Sequence, residues 1–389
     1  MDSDYLDGLK PWIKTSTIGK ILQESLGTLC DPLNIVGTRL DEGVGYMSII
    51  VALKIIWPGS VKAPTELILK LPTTAKADVE IKNLIDTDES QGPPTKMIVR
   101  MGHENEIKFY DLVRSSGEAE LLPIPKIYGF RKFDSDAELP PYLLMQDFSG
   151  ISRFGSFVDG LSVKQIEETV KAIAKMQAFC VRQPKVVDLF EQMAEENMTD
   201  FEKLIKNCFN VIKQEYGHIV QTSREDMHLL CDPKVWLDLA KCEHPMFVHG
   251  DLWTNNILFR INSDGSLSDE LVAVLDFQQP HLGSPMEDLC RFLASSVSPE
   301  VRRQHQDNFL KLYHQTITPL LPKDYPGAMT LDQLKSCYRQ TFRLGAGIFV
   351  FHFPLMIKGY LANEPAEVRE TLARRLAANL EDAIKFIRD

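Results

Sequence analysis

The chain has 389 residues, 44% hydrophobic and 25% charged, with a net charge of −11. That length allows two sizeable cores, and the acidic balance with no Lys/Arg-rich run speaks against a nucleic-acid-binding surface. No apolar run approaches the ~18 residues of a membrane span, and the N-terminal "MDSDYLDGLKPW" lacks the apolar centre of a signal peptide, so a cytoplasmic location without a membrane span is expected.

In chain order, residues 35–57 read as two strands joined by a turn bearing Gly43 and Gly45. "TELILKLP", residues 65–72, is a third strand stopped by proline. Residues 73–94 are polar and read as an insert, with "DVEIKNLI" able to form a short helix. Residues 96–115 follow a helical spacing, and "IPKIYGFRKFD" and "PYLLMQDFSG" read as two further strands. After Gly150 the pattern turns helical, over residues 163–181, 189–216, 223–240, 286–320, 331–360 and 364–388. In the last of these Val368, Leu372, Leu376, Leu380, Ala383 and Ile387 form one apolar stripe. Between the helices lies one strand pair, "MFVHGDLWTNNILFRI" and "LVAVLDF", joined through an Asp264-Gly265 turn. The expected architecture is α+β, with a β-rich N-terminal part, residues 1–145, and a mainly helical C-terminal part, residues 146–389. The seven cysteines are scattered singly and read as buried free thiols.

The stretch "FVHGDLWTNNILF" places His249, Asp251, Asn255 and Asn256 between apolar flanks. Asn256 follows Asp251 by five positions, and Asp276 ends the apolar run "AVLDF". Phosphoryl transfer uses this set: one carboxylate to take or orient the acceptor's proton, a second to hold Mg²⁺ against the phosphates, and an amide oxygen to complete the metal shell. The order also matches the kinase signature of catalytic Asp, Asn five on, and an Asp-Phe pair closing the next strand. "HGD" alone is weak, since a buried His–Asp hydrogen bond is its ordinary reading. Lys70 supplies an independent signal, because a lysine inside "ELILKLP" is costly unless paired. Glu106 on the next helix is the expected partner, with Glu104 in reserve. Gly43 and Gly45 would let backbone N–H groups approach phosphate. "LLMQDFSG" would offer adenine the Gln146 carbonyl and the Phe148 N–H, or be a plain edge strand.

The set "HGDLWTNN…LDFQQPHLGSPMEDLCRFL", together with "ELILKLP", "NEIKFY" and "LLMQDFSG", resembles the ecdysteroid-kinase-like, or CHK-kinase-like, family within the aminoglycoside phosphotransferase and choline kinase group. The resemblance runs over residues 30–380 and looks closest to the nematode branch, where a helix like "AIAKMQAF" carries Gln. It implies a protein-kinase-like two-lobe fold, with a small antiparallel sheet and one helix in the N-lobe and a large helical C-lobe. It also implies ATP- and Mg²⁺-dependent phosphorylation of a small-molecule hydroxyl on a sterol-, choline- or glycoside-like acceptor, with no obligate protein partner. Asp251 matches the catalytic base, Asn256 and Asp276 the metal ligands, Lys70 the phosphate lysine, Glu106 its ion-pair partner, and Asp288 a support of the loop. "DFQ" in place of Asp-Phe-Gly implies little activation-loop switching. The eight residues between Asp276 and Pro285 are too few for a peptide platform, which argues against protein substrates.

Three other readings fit the residues less well. An inactive nucleotide-binding scaffold on the same fold usually loses the base or a metal ligand, and all are present here. A metal-dependent hydrolase built on His249 and Asp251 would call for further His-rich ligand motifs, and the nine histidines make no H-x-H and no H-E-x-x-H. A nucleotide-binding dehydrogenase fails because "DEGVGYMS" is no G-x-G-x-x-G opening a helix. For the acceptor, Trp253, Phe353 and Tyr360 are candidate cation-holding rings, and the aromatic helix Phe342–Met356 reads as core or as the wall of a broad apolar pocket.

Overall fold

The computed structural model describes residues 6, 13–28, 31–40, 47–59, 61–74, 95–134, 138–190 and 198–389. Gly43, Gly45 and the short helix expected in "DVEIKNLI" lie outside the described residues. The described residues form two compact units, one running to residue 150 without 120–124, the other made of 120–124 and 151–389.

The first unit holds helix α1 (Thr15–Leu26), strands β1 (Asn34–Arg39), β2 (Ser48–Ile56) and β3 (Glu66–Pro72), helix α2 (Thr95–Ser116), and strands β4 (Ile127–Arg131) and β5 (Tyr142–Gln146). The strands make one antiparallel sheet in the order β1-β2-β3-β5-β4. Their β-branched and aliphatic content suits a pleated, half-buried surface. In β2 the alternation is plain: Ile49, Val51, Leu53 and Ile55 are buried. They join Ile18, Ile21 and Leu22 of α1 in one core. α1 was not expected from the sequence, so the described residues of this unit hold a second helix besides the expected α2. Its apolar positions fall at a helical spacing, but the polar residues between them gave only a weak signal.

The second unit begins with β6 (Ser152–Phe154), then helices α3 (Val163–Val181), α4 (Val186–Leu189), α5 (Met198–Tyr216), α6 (Arg224–Leu230) and α7 (Pro233–Ala240). Strands β7 (Met246–Val248), β8 (Ile257–Ile261), β9 (Leu267–Val274) and β10 (His281–Gly283) follow. The unit ends with α8 (Glu287–Ser296), α9 (Pro299–Ile317), α10 (Leu331–Leu355) and α11 (Ala366–Arg388). Two expected helices are divided where a capping residue precedes a proline at the first helical position. Asp232 caps α7 before Pro233, and Ser298 caps α9 before Pro299. β7 is not part of the β8–β9 hairpin, as the sequence suggested. It pairs antiparallel with β10, while β6, β8 and β9 form a separate three-stranded sheet. Both β6 and β10 are three residues long, too short to leave a periodic signal.

α10 is the central helix and packs against α8, α11 and α5. Phe342, Phe349 and Phe353 of its aromatic run are buried, so that run is mostly core. In α11 the stripe residues Leu372, Leu376, Leu380 and Ala383 are buried. Gly345 lets α10 lie directly on the α8 backbone, since a Cβ there would sit 2.6 Å from the Cys290 carbonyl carbon and oxygen. No helix among the described residues is long and apolar enough to cross a membrane.

Gly345→Ala tests this packing. In an isolated helix the change would stabilise by about 1 kcal/mol. Here the new methyl meets backbone that cannot rotate away, so a net loss of ~2 kcal/mol is expected from overpacking. A lowered midpoint in chemical denaturation checks it.

Candidate active site

In the first unit, Lys70 lies on β3 opposite Ile50 of β2 and Leu143 of β5. Its Nζ donates to Glu106 Oε2 at 2.7 Å, with both side chains buried. Glu104, the reserve partner, instead accepts from Arg100 on the helix surface at 2.9 Å. A buried ion pair costs desolvation that its attraction barely repays. Its use is to fix one ammonium in one place. Burial and the Lys70 charge pull His103 down to about 4, against the opposing pull of the Arg131 carbonyl. Its ring is therefore neutral. Thr38, Ala52 and Ile68 lie across from one another on the strands, and Ile68 is two residues from Lys70, so they share its face. Gln146 closes β5, its N–H donating to the Lys126 carbonyl, and half-buried Phe148 follows the strand end.

In the second unit the chain leaves β7 and turns at Gly250 with φ +82°. A Cβ there would lie 2.1 Å from the Gln279 carbonyl oxygen, so glycine is required on both counts. Asp288, on the first turn of α8, holds the turn. Its Oδ2 accepts the His249 N–H at 2.8 Å and its Oδ1 the Gly250 N–H at 3.1 Å. Burial pushes the Asp288 carboxyl up to about 6, and the two N–H groups pull the other way.

His249 is fully buried and its tautomer follows from its partners. Nε2 lies 2.9 Å from the Leu275 carbonyl, which only accepts, so Nε2 carries the proton. Nδ1 then accepts the Asp251 N–H at 3.2 Å. The ring thus ties the Asp251 backbone to the residue before Asp276. Asp276 has φ +68° and is the one non-glycine residue at positive φ among the described residues. Aspartate tolerates that region better than most residues, at some cost in strain.

Asn256 ends a short 3-10 turn, Thr254–Asn256, whose Thr254 N–H donates to Ser296 Oγ at the end of α8. Its Nδ2 donates to the Asp251 carbonyl at 2.7 Å and to Asp251 Oδ2 at 3.2 Å. With the amide nitrogen so used, the amide oxygen is the atom left for a cation. Burial raises the Asp251 carboxyl to about 6, with Asp276 adding to the rise, while Arg291 and Asn256 oppose it. The structure therefore brings Asp251, Asn256 and Asp276 into one neighbourhood. One amide oxygen and one carboxylate suit a Mg²⁺ that keeps waters and phosphate oxygens as its other ligands. No group of three or more His, Cys, Asp or Glu among the described residues forms a metal cage of its own.

Arg291 of α8 was not foreseen. Its buried guanidinium donates through Nη2 to Asp251 Oδ1. The signal was available: an arginine inside the apolar run "DLCRFLA" is as costly as Lys70 in its strand. Of the proposed acceptor rings, Trp253 and Tyr360 meet at 5.6 Å between centroids, and Phe157 joins them at 5.9 Å from each. Phe353 is not with them. It is buried against Tyr216 at 5.3 Å. Gln177 is structural, its Nε2 donating to the Pro285 carbonyl at 3.1 Å.

Residues 13–388 match the family described as "DUF1679: Uncharacterized oxidoreductase dhs-27". The chain belongs to this family. A relative, "Uncharacterized oxidoreductase dhs-27" of Caenorhabditis elegans, is 24% identical over 384 residues, which are 94% of this chain and 45% of the relative. The chain thus spans about half the length of the curated relative it matches. Among solved structures, the GDP and kanamycin complex of APH(2")-IIia is similar at 12% identity, covering 92% of this chain and 97% of that one, with a TM-score of 0.48. Macrolide 2'-phosphotransferase MphH from Brachybacterium faecium is similar at 14% identity, 92% and 97% coverage, and a TM-score of 0.41.

A second ion pair, with Glu287 buried and His281 partly exposed, flanks the Asp288 clamp. His281 Nε2 lies 3.0 Å from Glu287 Oε1 and Nδ1 3.0 Å from the Gln279 carbonyl, so both nitrogens donate and the ring is a cation. Burial pulls its pKa down, but the Glu287 charge and hydrogen bond outweigh that and raise it to about 9. A raised folded-state pKa means stabilisation fully present below the unfolded value of 6.5 and lost as pH rises through about 9. The melting temperature should therefore fall between pH 6.5 and pH 9, and His281→Asn should flatten that fall while lowering stability at pH 6, as thermal melts across the range would show.

Proposed function

We propose that this protein is an ATP- and Mg²⁺-dependent phosphotransferase of the protein-kinase-like fold, acting on a hydroxyl of a small molecule, in the manner of the CHK-kinase-like group. The observation that carries the reading is the convergence of Asp251, Asn256 and Asp276, with Asn256 bonded to Asp251 and Asp276 acting on its charge. The buried Lys70–Glu106 pair in the first unit supports it.

In this reading Asp251 Oδ2 accepts the hydrogen bond of the acceptor hydroxyl, orients its oxygen towards the γ-phosphorus and takes the proton as the new O–P bond forms and the bond from the γ-phosphorus to the β,γ-bridging oxygen breaks, ADP leaving with that oxygen. Asn256, through its amide oxygen, and Asp276, through its carboxylate, hold Mg²⁺, which when bound neutralises charge on the phosphate oxygens. Lys70, held in place by Glu106, neutralises the α- and β-phosphates. Gly43 and Gly45, outside the described residues, would supply backbone N–H groups to the phosphates. The Gln146 carbonyl and the Phe148 N–H would read adenine, whose ring would lie on the face formed by Thr38, Ala52 and Ile68. The acceptor is an uncharged or weakly cationic molecule with an apolar body, bound against the rings of Phe157, Trp253 and Tyr360.

The relative's name speaks of an oxidoreductase, whereas this sequence contains no G-x-G-x-x-G dinucleotide fingerprint. This chain aligns with 45% of that protein.

The test is transfer of label from γ-labelled ATP into a metabolite extract. The wild type should label small molecules and leave casein and histone unlabelled. Asp251→Asn should cut transfer by ~10²-fold or more, with the melting temperature little changed because Asn still accepts from Arg291. Label passing to casein or histone but to nothing in the extract would overturn the small-molecule reading, and undiminished transfer by Asp251→Asn would overturn the assignment of the base. Asp276→Ala should abolish the Mg²⁺ dependence of ATP binding, measured by titration with and without the metal.

A further inference from the structure

The contact between Arg291 and Asp251 is one-sided. An arginine beside a carboxylate usually forms a fork, two parallel N–H···O bonds to the two oxygens. Here Nη2 alone reaches Asp251, at Oδ1. The neighbouring Nε is buried with no hydrogen-bond partner. A buried donor left unpaired is unfavourable, so something must hold the guanidinium away from the fork.

His352 of α10 is placed to do so. Its Nδ1 lies 2.9 Å from the Ile348 carbonyl. A carbonyl only accepts, so Nδ1 carries the proton and Nε2 presents a bare lone pair. That lone pair faces Arg291 Nη2 at 3.5 Å, a long contact that steers the guanidinium more than it binds it. Asp251 and His352 are the two side-chain partners of Arg291 among the described residues, and both engage the same nitrogen. His352 cannot drift, because α10 is seated on the α8 backbone at Gly345, two helical turns earlier. The seat and the imidazole therefore face the same helix.

The consequence falls on the other oxygen of the carboxylate. Asp251 Oδ2 has the Asn256 Nδ2 contact at 3.2 Å and nothing from Arg291. A fork would occupy both oxygens with guanidinium N–H groups and leave no good acceptor for a hydroxyl. We propose that His352 is a positioning residue: by drawing Arg291 Nη2 to its Nε2 it prevents the arginine–carboxylate fork and keeps Asp251 Oδ2 open to the acceptor hydroxyl. This rests on the phosphotransferase reading for its role in the reaction, but not for its geometry.

Two measurements separate the geometry from the reading. The first is a crystal structure of His352→Phe, which keeps a ring and removes the lone pair. The geometry predicts Arg291 Nε and Nη2 on both Asp251 oxygens. A guanidinium left where it is, with Nε still unpaired, overturns the proposal whatever the protein catalyses. The second is MgATP hydrolysis without an added acceptor, water taking the acceptor's place. His352→Phe should lower kcat by ~10-fold and leave the KM for ATP unchanged, the signature of an interaction used in the chemical step. His352→Gln, whose amide oxygen can stand where Nε2 stands, should restore kcat to within about threefold of wild type. A double-mutant cycle adds a readout that a merely structural role would not move. Lysine cannot fork, so in an Arg291→Lys background the further change His352→Phe should alter kcat by less than about twofold. A full loss in that background, or a His352→Gln variant as slow as His352→Phe, overturns the proposal. A wild type that hydrolyses no MgATP and transfers no label in the extract assay fails the phosphotransferase reading instead, and the crystal structure still decides the geometry.

Discussion

One carboxylate sets the geometry of the second unit's site. Asp288, on the first turn of α8, accepts two successive backbone N–H groups, those of His249 and Gly250. That grip bends the chain where only glycine fits and sends Asp251 off in a fixed direction. His249 passes the constraint on, one ring nitrogen to the Asp251 backbone and the other to Leu275 beside Asp276. The same helix supplies Arg291 to Asp251 and Ser296 to Thr254. α8 is thus the reference against which the turn at Gly250, the Asp251 carboxylate and Thr254 are set, and α10 rests on it through Gly345.

The site is expensive in the terms of folding. Lys70, Glu106, Asp288 and Arg291 are all charged or chargeable and all buried. The Lys70–Glu106 and Arg291–Asp251 pairs return little net stability after desolvation. Such groups make sense where position matters more than stability, as in preorganised chemistry on a charged substrate. Both units show this pattern: a lone cation in an apolar segment, held by one acidic partner.

Much of this was legible in the residues. Lys70 broke an apolar strand, and Glu106 stood at the helical position that meets it. The spacing from Asp251 to Asn256 and the Asp276 that ends "VLDF" made a pattern rather than single hits. What escaped has identifiable causes. Arg291 carries the same kind of signal as Lys70, but no strand pattern or spacing rule pointed from α8 back to Asp251. β6 and β10 are too short to be periodic, and the pairing of β7 with β10 is a long-range contact that local pattern does not record. The helix boundaries at Pro233 and Pro299 were readable from the Asp-Pro and Ser-Pro steps, but the apolar periodicity running across them hid the breaks. The aromatic run of α10 was open between core and pocket wall. Its burial follows from a helix wedged among three others, which no property of the run itself determines.

The family's description speaks of oxidoreduction, whereas the residues gathered around Asp251 suit phosphoryl transfer. The two chemistries take different nucleotides, which makes the choice measurable without knowing the acceptor. Calorimetric titration of this chain with ATP in the presence and absence of Mg²⁺, and in parallel with NADH and NADPH, is the most direct measurement. Metal-dependent binding of ATP, with no heat from either nicotinamide nucleotide, is the predicted result. Saturable binding of NADH or NADPH with no binding of MgATP would contradict the account.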